Sequence, residues 1–298
     1  MRPTLVPGDE VVATDSRQSS IGDVVVFPHP GREDFWMVKR RVSPPDSLGP
    51  GLAWVMSDNL SVTRADSRSL GPLPVESLMP VVDRLDAVTF AEACVLLASE
   101  DPALAAVVER HGVPEFWQRT PGFANLVLLI LEQQVSLESG AAVYRRLLES
   151  AGGVTPEAIL DLGGEGVMAS GVTRQKTGYI LDLAQAILDE VLDLDALSTA
   201  DRDTAREVLL GLRGVGPWTA DVYLLSALAH PDMFPVGDRA LQVGTAEVLG
   251  MTSIPDPGQL EILSQPWRPV RAVAARLLWH AYLTTRGRVE PITPNLNL

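Results

Sequence analysis

The 298-residue sequence has one cysteine, two lysines, few aromatic residues and no long apolar run. Cys94 alone excludes an intramolecular disulfide, a four-cysteine zinc site and a four-cysteine iron–sulfur cluster. The longest strongly apolar run, Leu126 to Leu131, is far short of the ~20 residues that span a bilayer, so no membrane partner is expected. Pro3, Pro7, Asp9 and Glu10 interrupt any charged-then-apolar leader pattern, and the expectation is a cytoplasmic protein. His29, His111, His230 and His280 are scattered singly, with no metal-ligand spacing; neither a metal nor a cofactor is expected. Basic side chains are in deficit too, 24 against 38 acidic ones, for a net charge of −14. That balance counts against a non-specific nucleic-acid coat but leaves room for a local phosphate site.

What is present divides in two. Residues 1–85 carry short apolar runs, Val24-Val25-Val26-Phe27, Trp36-Met37-Val38 and Ala53-Trp54-Val55-Met56, separated by Gly, Pro, Asp and Asn clusters, the texture of short strands. From residue 86 the chain turns to Ala/Leu-rich stretches at 90–99, 102–111, 122–135, 138–151, 175–191, 203–212, 217–229, 239–249 and 269–285. Apolar residues recur there at three and four, as in Leu181, Ala184 and Leu188, and Asp101-Pro102 and Thr155-Pro156-Glu157 read as helix starts. The expected fold is therefore α+β and multidomain: a small all-β domain (1–85), then an all-α domain (86–298). Residues 1–90 hold nine basic and twelve acidic side chains, so most of the acidity belongs to the helical domain.

The most informative stretch is Leu212-Arg213-Gly214-Val215-Gly216-Pro217-Trp218-Thr219-Ala220-Asp221. A helix stops at Gly214 and another starts near Pro217, a favoured first-turn residue. Glycines at 214 and 216 allow a close turn and leave N–H groups at a helix N-terminus, an anion site suited to a DNA phosphate. Gly-x-Gly alone is more often an ordinary joint between helices. Further on, Asp232-Met233-Phe234-Pro235-Val236-Gly237-Asp238 puts Asp238 after a Pro/Gly kink and before an apolar helix, an N-cap position. Alone, that too reads as a structural cap.

Taken with Ile130-Leu131-Glu132-Gln133-Gln134-Val135-Ser136 upstream and Trp267-Arg268-Pro269-Val270-Arg271-Ala272 downstream, the arrangement resembles the helix-hairpin-helix DNA glycosylase superfamily, closest to its DNA-3-methyladenine glycosylase II type, over about residues 88–298. The resemblance implies base excision repair: hydrolysis of the N-glycosidic bond of alkylated purines in duplex DNA, after the damaged base leaves the stack. Asp238 falls at the family's catalytic position, where a carboxylate stabilises positive charge developing on the sugar. Gly214, Gly216 and Thr219 match the DNA-anchoring hairpin, and Gln133 and Gln134 fall where relatives fill the gap left by the flipped base. Bifunctional relatives carry a nucleophilic lysine where this chain has Trp218, which implies a monofunctional enzyme. For a cationic alkylated base, electron-rich rings are suitable walls: Trp218 is the best candidate, with Phe234 and Trp267 beside it, although Phe234, Trp267, Trp279, Tyr223 and Tyr144 are rings that more often belong to a core. Arg239 and Val270 stand where relatives can carry aromatic rings. Arg174, Gln175 and Lys176 fit either a phosphate contact or an exposed charged cap. The protein is expected to act as a monomer.

The first domain has its own order of motifs: Met1-Arg2-Pro3-Thr4-Leu5-Val6-Pro7-Gly8-Asp9, Gly22–Phe27, Val38-Lys39-Arg40-Arg41-Val42, Ser57-Asp58-Asn59 and Asp66–Pro72. It resembles the catalytic β-fold of the signal peptidase I family, with Lys39 at the general-base position. The matching serine would immediately precede Met1, so the domain as given is expected to be catalytically silent, with Lys39 a surface or partly buried charge and Asp58 and Asp66 fold residues. Two other readings compete with the glycosylase. One is a serine/lysine peptidase carrying a DNA-binding helical domain; the other is a DNA-binding module without catalysis, which has no use for a carboxylate at Asp238.

Overall fold

The computed structural model describes residues 5, 10–45, 48–60 and 65–288. The chain divides into two compact units, Met1–Thr89 and Phe90–Leu298, the first built on a sheet and the second on helices.

In the first unit the strands are β1 (Val24–Pro28), β2 (Trp36–Val42), β3 (Leu52–Met56), β4 (Leu73–Pro74) and β5 (Met79–Pro80), with a short helix α1 (Ser67–Leu70). They form one antiparallel sheet in the order β4-β3-β2-β1-β5. Alternation selects the buried face: Val25 and Phe27 of β1, Met37 of β2, and Ala53 and Val55 of β3 point into a core closed by Leu73 and Leu78. Asp66 ties the unit together. Fully buried, it caps α1, accepts from the backbone N–H of Ser57 and Arg68, and pairs with the Arg68 guanidinium at 2.8 Å. Burial opposes its charge, but these donors outweigh burial and hold the carboxyl down at about 2. Asp58 pairs with Arg40 at 2.8 Å, so both aspartates are fold residues. Lys39 follows Met37 at the two-residue period of β2, so it is buried on the same strand face, and it lines an open cavity of about 320 Å³ with His29, Phe35 and Trp36. Desolvation lowers its pKa, against the opposing charges of Asp66 and Asp58.

The helical unit runs α2 (Ala87–Glu100), α3 (Pro102–His111), α4 (Phe123–Glu132), α5 (Leu137–Ala151), α6 (Pro156–Ala169), α7 (Arg174–Leu188), α8 (Arg202–Leu210), α9 (Pro217–Ser226), α10 (Arg239–Val248), α11 (Pro257–Ser264) and α12 (Arg271–Thr285). Side-chain caps start most of them: Asp101 for α3, Ser136 for α5, Thr155 for α6, Thr173 for α7, Asp201 for α8 and a capping box at Asp256 for α11. Helices α4, α9 and α12 are buried nearly all round and form the centre of the unit, with the amphipathic helices about them. Gly244 of α10 sits where a Cβ would stand 2.8 Å from the Leu278 carbonyl oxygen of α12. Only glycine lets these two helices approach so closely. Two helices lie outside the Ala/Leu-rich stretches. Helix α6 is glycine-rich and kinked at Gly163, and α11 is a single short piece set by its cap, so neither shows sustained periodicity. No helix among the described residues is long and apolar enough to cross a membrane.

The depressed Asp66 carboxyl contributes stability that is complete above the unfolded carboxylate range, near pH 4, and is lost as pH falls through about 2. Discounted for solvent at Arg68, the contribution is roughly 1–2 kcal/mol. Asp66→Asn is expected to speed amide exchange in β3 by about 5–30-fold at pH 7. The gap between variant and wild type narrows below pH 4. An equal gap at pH 7 and pH 2.5, read by exchange mass spectrometry, contradicts this assignment.

Candidate active site

The joint between α8 and α9 is built on two glycines. Gly214 has φ +86°, and a Cβ there would stand 2.3 Å from the Tyr179 ring, so glycine is required both for the turn and for the approach of α7. Gly216 is the N-cap of α9, extended at φ −93° and ψ 178°, with open space around it and no side chain capping the helix. Pro217 at the first helical position removes one N–H that would have no partner there. The first-turn amides and the positive end of α9 are thus open to an anion.

Gln133 and Thr219, expected at the DNA surface, face inward. Gln133 Nε2 donates to the Gly214 carbonyl at 2.8 Å and to Thr219 Oγ1 at 2.9 Å, and Thr219 is 1% exposed. The reason is local: a tight turn strands the Gly214 carbonyl, and the nearest amide satisfies it. Both residues brace the hairpin from behind. Gln134 parts from its neighbour, exposed and in the left-handed region at φ 59°. Lys176 settles its two readings in favour of neither, because its Nζ donates to the Leu131 and Gln133 carbonyls at 2.9 and 2.8 Å. It closes the C-terminus of α4, where a cation meets the helix dipole, and burial lowers its pKa.

Asp238 is the N-cap of α10, its Oδ1 accepting from Leu241 N–H at 2.8 Å. Two indoles complete its shell. Trp279 Nε1 donates to Oδ1 at 3.0 Å and Trp218 Nε1 donates to Oδ2 at 2.9 Å. Trp218 therefore links the hairpin directly to the carboxylate. The sequence reads Trp279 more often as a core ring than as a wall; its role depends on an N–H whose partner lies 41 positions away.

The loop before Asp238 is pinned by charge. Asp232 accepts from Arg271 (2.6 Å), Arg202 (3.0 Å) and Arg268 (3.1 Å), and Arg271 also pairs with Glu261 at 2.9 Å. Phe234 and Trp267, expected as walls of a base pocket, are instead core residues. Their rings pack 5.7 Å apart at 44°, both nearly fully buried, and Trp267 Nε1 donates to Asp101 Oδ2 at 2.7 Å. The indole N–H needs a buried acceptor, and the α3 cap supplies it. Of the three expected walls, only half-buried Trp218 adjoins Asp238.

Residues 127–269 match the HhH-GPD superfamily of base excision DNA repair proteins. The chain is 33% identical over 242 residues to a Mycobacterium tuberculosis protein named "Probable bifunctional transcriptional activator/DNA repair enzyme AlkA", covering 71% of this chain and 47% of that one. It is 25% identical over 201 residues to a Bacillus subtilis DNA-3-methyladenine glycosylase, 61% of this chain and 64% of the relative. The chain thus spans about half to two thirds of the length of these curated relatives. Among solved structures, a Bacillus halodurans DNA-3-methyladenine glycosidase superposes with TM-score 0.57 at 27% identity, over 70% of this chain and 96% of the other. The Schizosaccharomyces pombe 3-methyladenine DNA glycosylase bound to abasic DNA shares the fold, with TM-score 0.58 at 22% identity over 63% and 95% of the two chains. Hairpin, capping aspartate and matched residues coincide in the helical unit, which carries the likeness to the HhH-GPD superfamily of base excision DNA repair proteins.

Proposed function

We propose that the protein is a monofunctional DNA glycosylase that releases alkylated purines of the 3-methyladenine kind from duplex DNA, acting as a cytoplasmic monomer. The observation that carries this reading is Asp238: a carboxylate fixed by two indoles and a helix cap, one hydrogen bond from the open N-terminus of α9. A phosphate held by the α9 amides brings the adjoining sugar toward Trp218 and Asp238. As the glycosidic bond lengthens, the sugar gains positive charge, and a carboxylate already oriented stabilises it without reorganising. The same charge orients a water for attack on the sugar carbon. Trp218 offers a π face to a base made cationic by alkylation, and the exposed Gln134 turn is the segment suited to fill the vacated stack. The β unit enters this reading as an accessory. The alternative of a serine/lysine peptidase is not carried, since the family match and the assembled site both lie in the helical unit.

Asp238→Asn is expected to lower single-turnover release of 3-methyladenine from a duplex by about 10²–10³-fold, with affinity for the same DNA changed less than about twofold. Near-normal release removes Asp238 from the mechanism. Borohydride added during turnover should trap no covalent protein–DNA adduct, because an indole occupies the hairpin position where bifunctional relatives present an amine; a reduced adduct on a gel refutes monofunctionality. The two glutamines separate cleanly. Gln133→Ala should destabilise the fold by about 1–3 kcal/mol through the stranded Gly214 carbonyl, whereas Gln134→Ala should weaken binding to abasic DNA at unchanged Tm. The reverse pattern contradicts the assignment of Gln133 as a brace.

A further inference from the structure

The coil between α3 and α4, residues 112–122, contacts α4, α9 and α12. Its backbone is anchored to α9: Arg119 N–H donates to the Ser226 carbonyl at 2.7 Å, and Gly122 N–H donates to the Tyr223 hydroxyl at 2.8 Å. The Arg119 guanidinium reaches the end of α4, pairing with Glu132 at 3.1 and 3.3 Å, both side chains about 5% exposed or less. Burial raises the Glu132 carboxyl, and the Arg119 charge opposes that rise. Glu132 is confined from its other side by Gly140, where a Cβ would lie 2.8 Å from its Cγ. The next residues are Gln133 and Gln134.

Trp117 stands at the centre of this coil, flanked by two cations. The Arg119 guanidinium carbon lies 4.9 Å from its ring centroid and that of Arg276, from α12, lies 5.1 Å away. Arg276 also donates to the Glu115 carbonyl at 3.3 Å. The Trp117 ring meets Trp279 edge-on, centroids 6.4 Å apart at 85°, and Trp279 is the residue whose Nε1 holds Asp238 Oδ1. Cation–π attraction at desolvated sites is worth about 2 kcal/mol and edge-on aromatic pairs about 0.5–1.5 kcal/mol beyond burial. These energies are large enough to fix the angle of an indole, and with it the direction of its N–H.

We propose that Trp117 is a positioning residue for base release: clamped by Arg119 and Arg276, it holds the Trp279 indole on Asp238 and, through the Arg119–Glu132 pair, keeps the Gln134 turn in register with that carboxylate. The proposal rests on the glycosylase reading above and deepens it. Trp117 touches neither DNA nor the reacting atoms in this account; it acts through Trp279 on one side and Glu132 on the other.

The test compares Trp117→Ala with Trp117→Phe in the full chain, each measured for single-turnover release of 3-methyladenine, for affinity toward a duplex with an abasic-site analogue, and for the Trp279 indole N–H resonance in ¹⁵N-labelled protein. Trp117→Ala should slow release by about tenfold or more while affinity changes less than about twofold. Its Trp279 resonance should move upfield, as a weakened hydrogen bond does. Trp117→Phe keeps a π face between the two guanidiniums and should recover most of the rate and the resonance position. Should Trp117→Ala not fold, Trp117→Leu, which removes the π face and keeps bulk, takes its place. An unmoved Trp279 resonance overturns the proposal, as does a loss of rate and affinity in step with Phe no better than Ala. If the wild-type protein releases no alkylated base, the glycosylase reading fails, and the resonance alone then decides whether Trp117 positions the indole.

Discussion

A carboxylate at a helix N-terminus accepts N–H donors from its own first turn, and Asp238 does so through Leu241. Its two further donors come from different helices, Trp218 on α9 and Trp279 on α12, and that sharing constrains the rest of the helical unit. Helices α9, α10 and α12 must converge on one side chain with N···O separations within 3.0 Å. Gly244 permits the convergence of α10 and α12, since any Cβ there would collide with the Leu278 carbonyl. Asp232 and its three arginines fix the loop that delivers α10. A partly buried ion-pair cluster is a poor source of net stability, because desolvation and solvent screening offset much of its attraction. It is directional, however, and direction is what a capping aspartate shared among three helices demands.

The same logic explains what the sequence disclosed and what it concealed. Gly214, Gly216 and Asp238 were legible because their roles are set by backbone geometry: a left-handed turn, an open helix start, a cap. Such roles depend on neighbours in sequence. Gln133, Thr219, Phe234 and Trp267 were misplaced because their partners lie far along the chain, 86 positions for Gln133 to Thr219 and 166 for Trp267 to Asp101. Polarity suggested a surface for Gln133 and Thr219, whereas an unpaired carbonyl at a tight turn drew them inward. Aromatic character suggested a pocket for Phe234 and Trp267, whereas a core of this size needs large rings. Trp279 shows the opposite case, since reading its ring as core leaves its N–H, and the Asp238 carboxylate that accepts it, unaccounted for. Helices α6 and α11 escaped periodicity because glycine or brevity removes the repeating stripe; only the Thr155 cap announced α6, and α11 was not read from the sequence.

Charge sets the terms on which such a unit can meet DNA. The basic groups near the hairpin are largely neutralised: Arg213, exposed and stacked on Tyr179, pairs with Asp182 at 2.6 Å, and Lys176 is committed to carbonyls of α4. The amides at the start of α9 carry about half an elementary charge between them toward a phosphate. Affinity for a duplex rises with the phosphates neutralised by Lys and Arg and the counterions thereby released. A protein of net charge −14 that uses helix-terminal amides gains little from that source on undamaged DNA. In the proposed reaction the balance shifts once an alkylated nucleotide leaves the stack: a cationic base meets the Trp218 face, and positive charge then grows on the sugar beside Asp238. The acidic surface that weakens binding to ordinary duplex favours this cationic species, so discrimination falls on the flipped nucleotide rather than on the backbone.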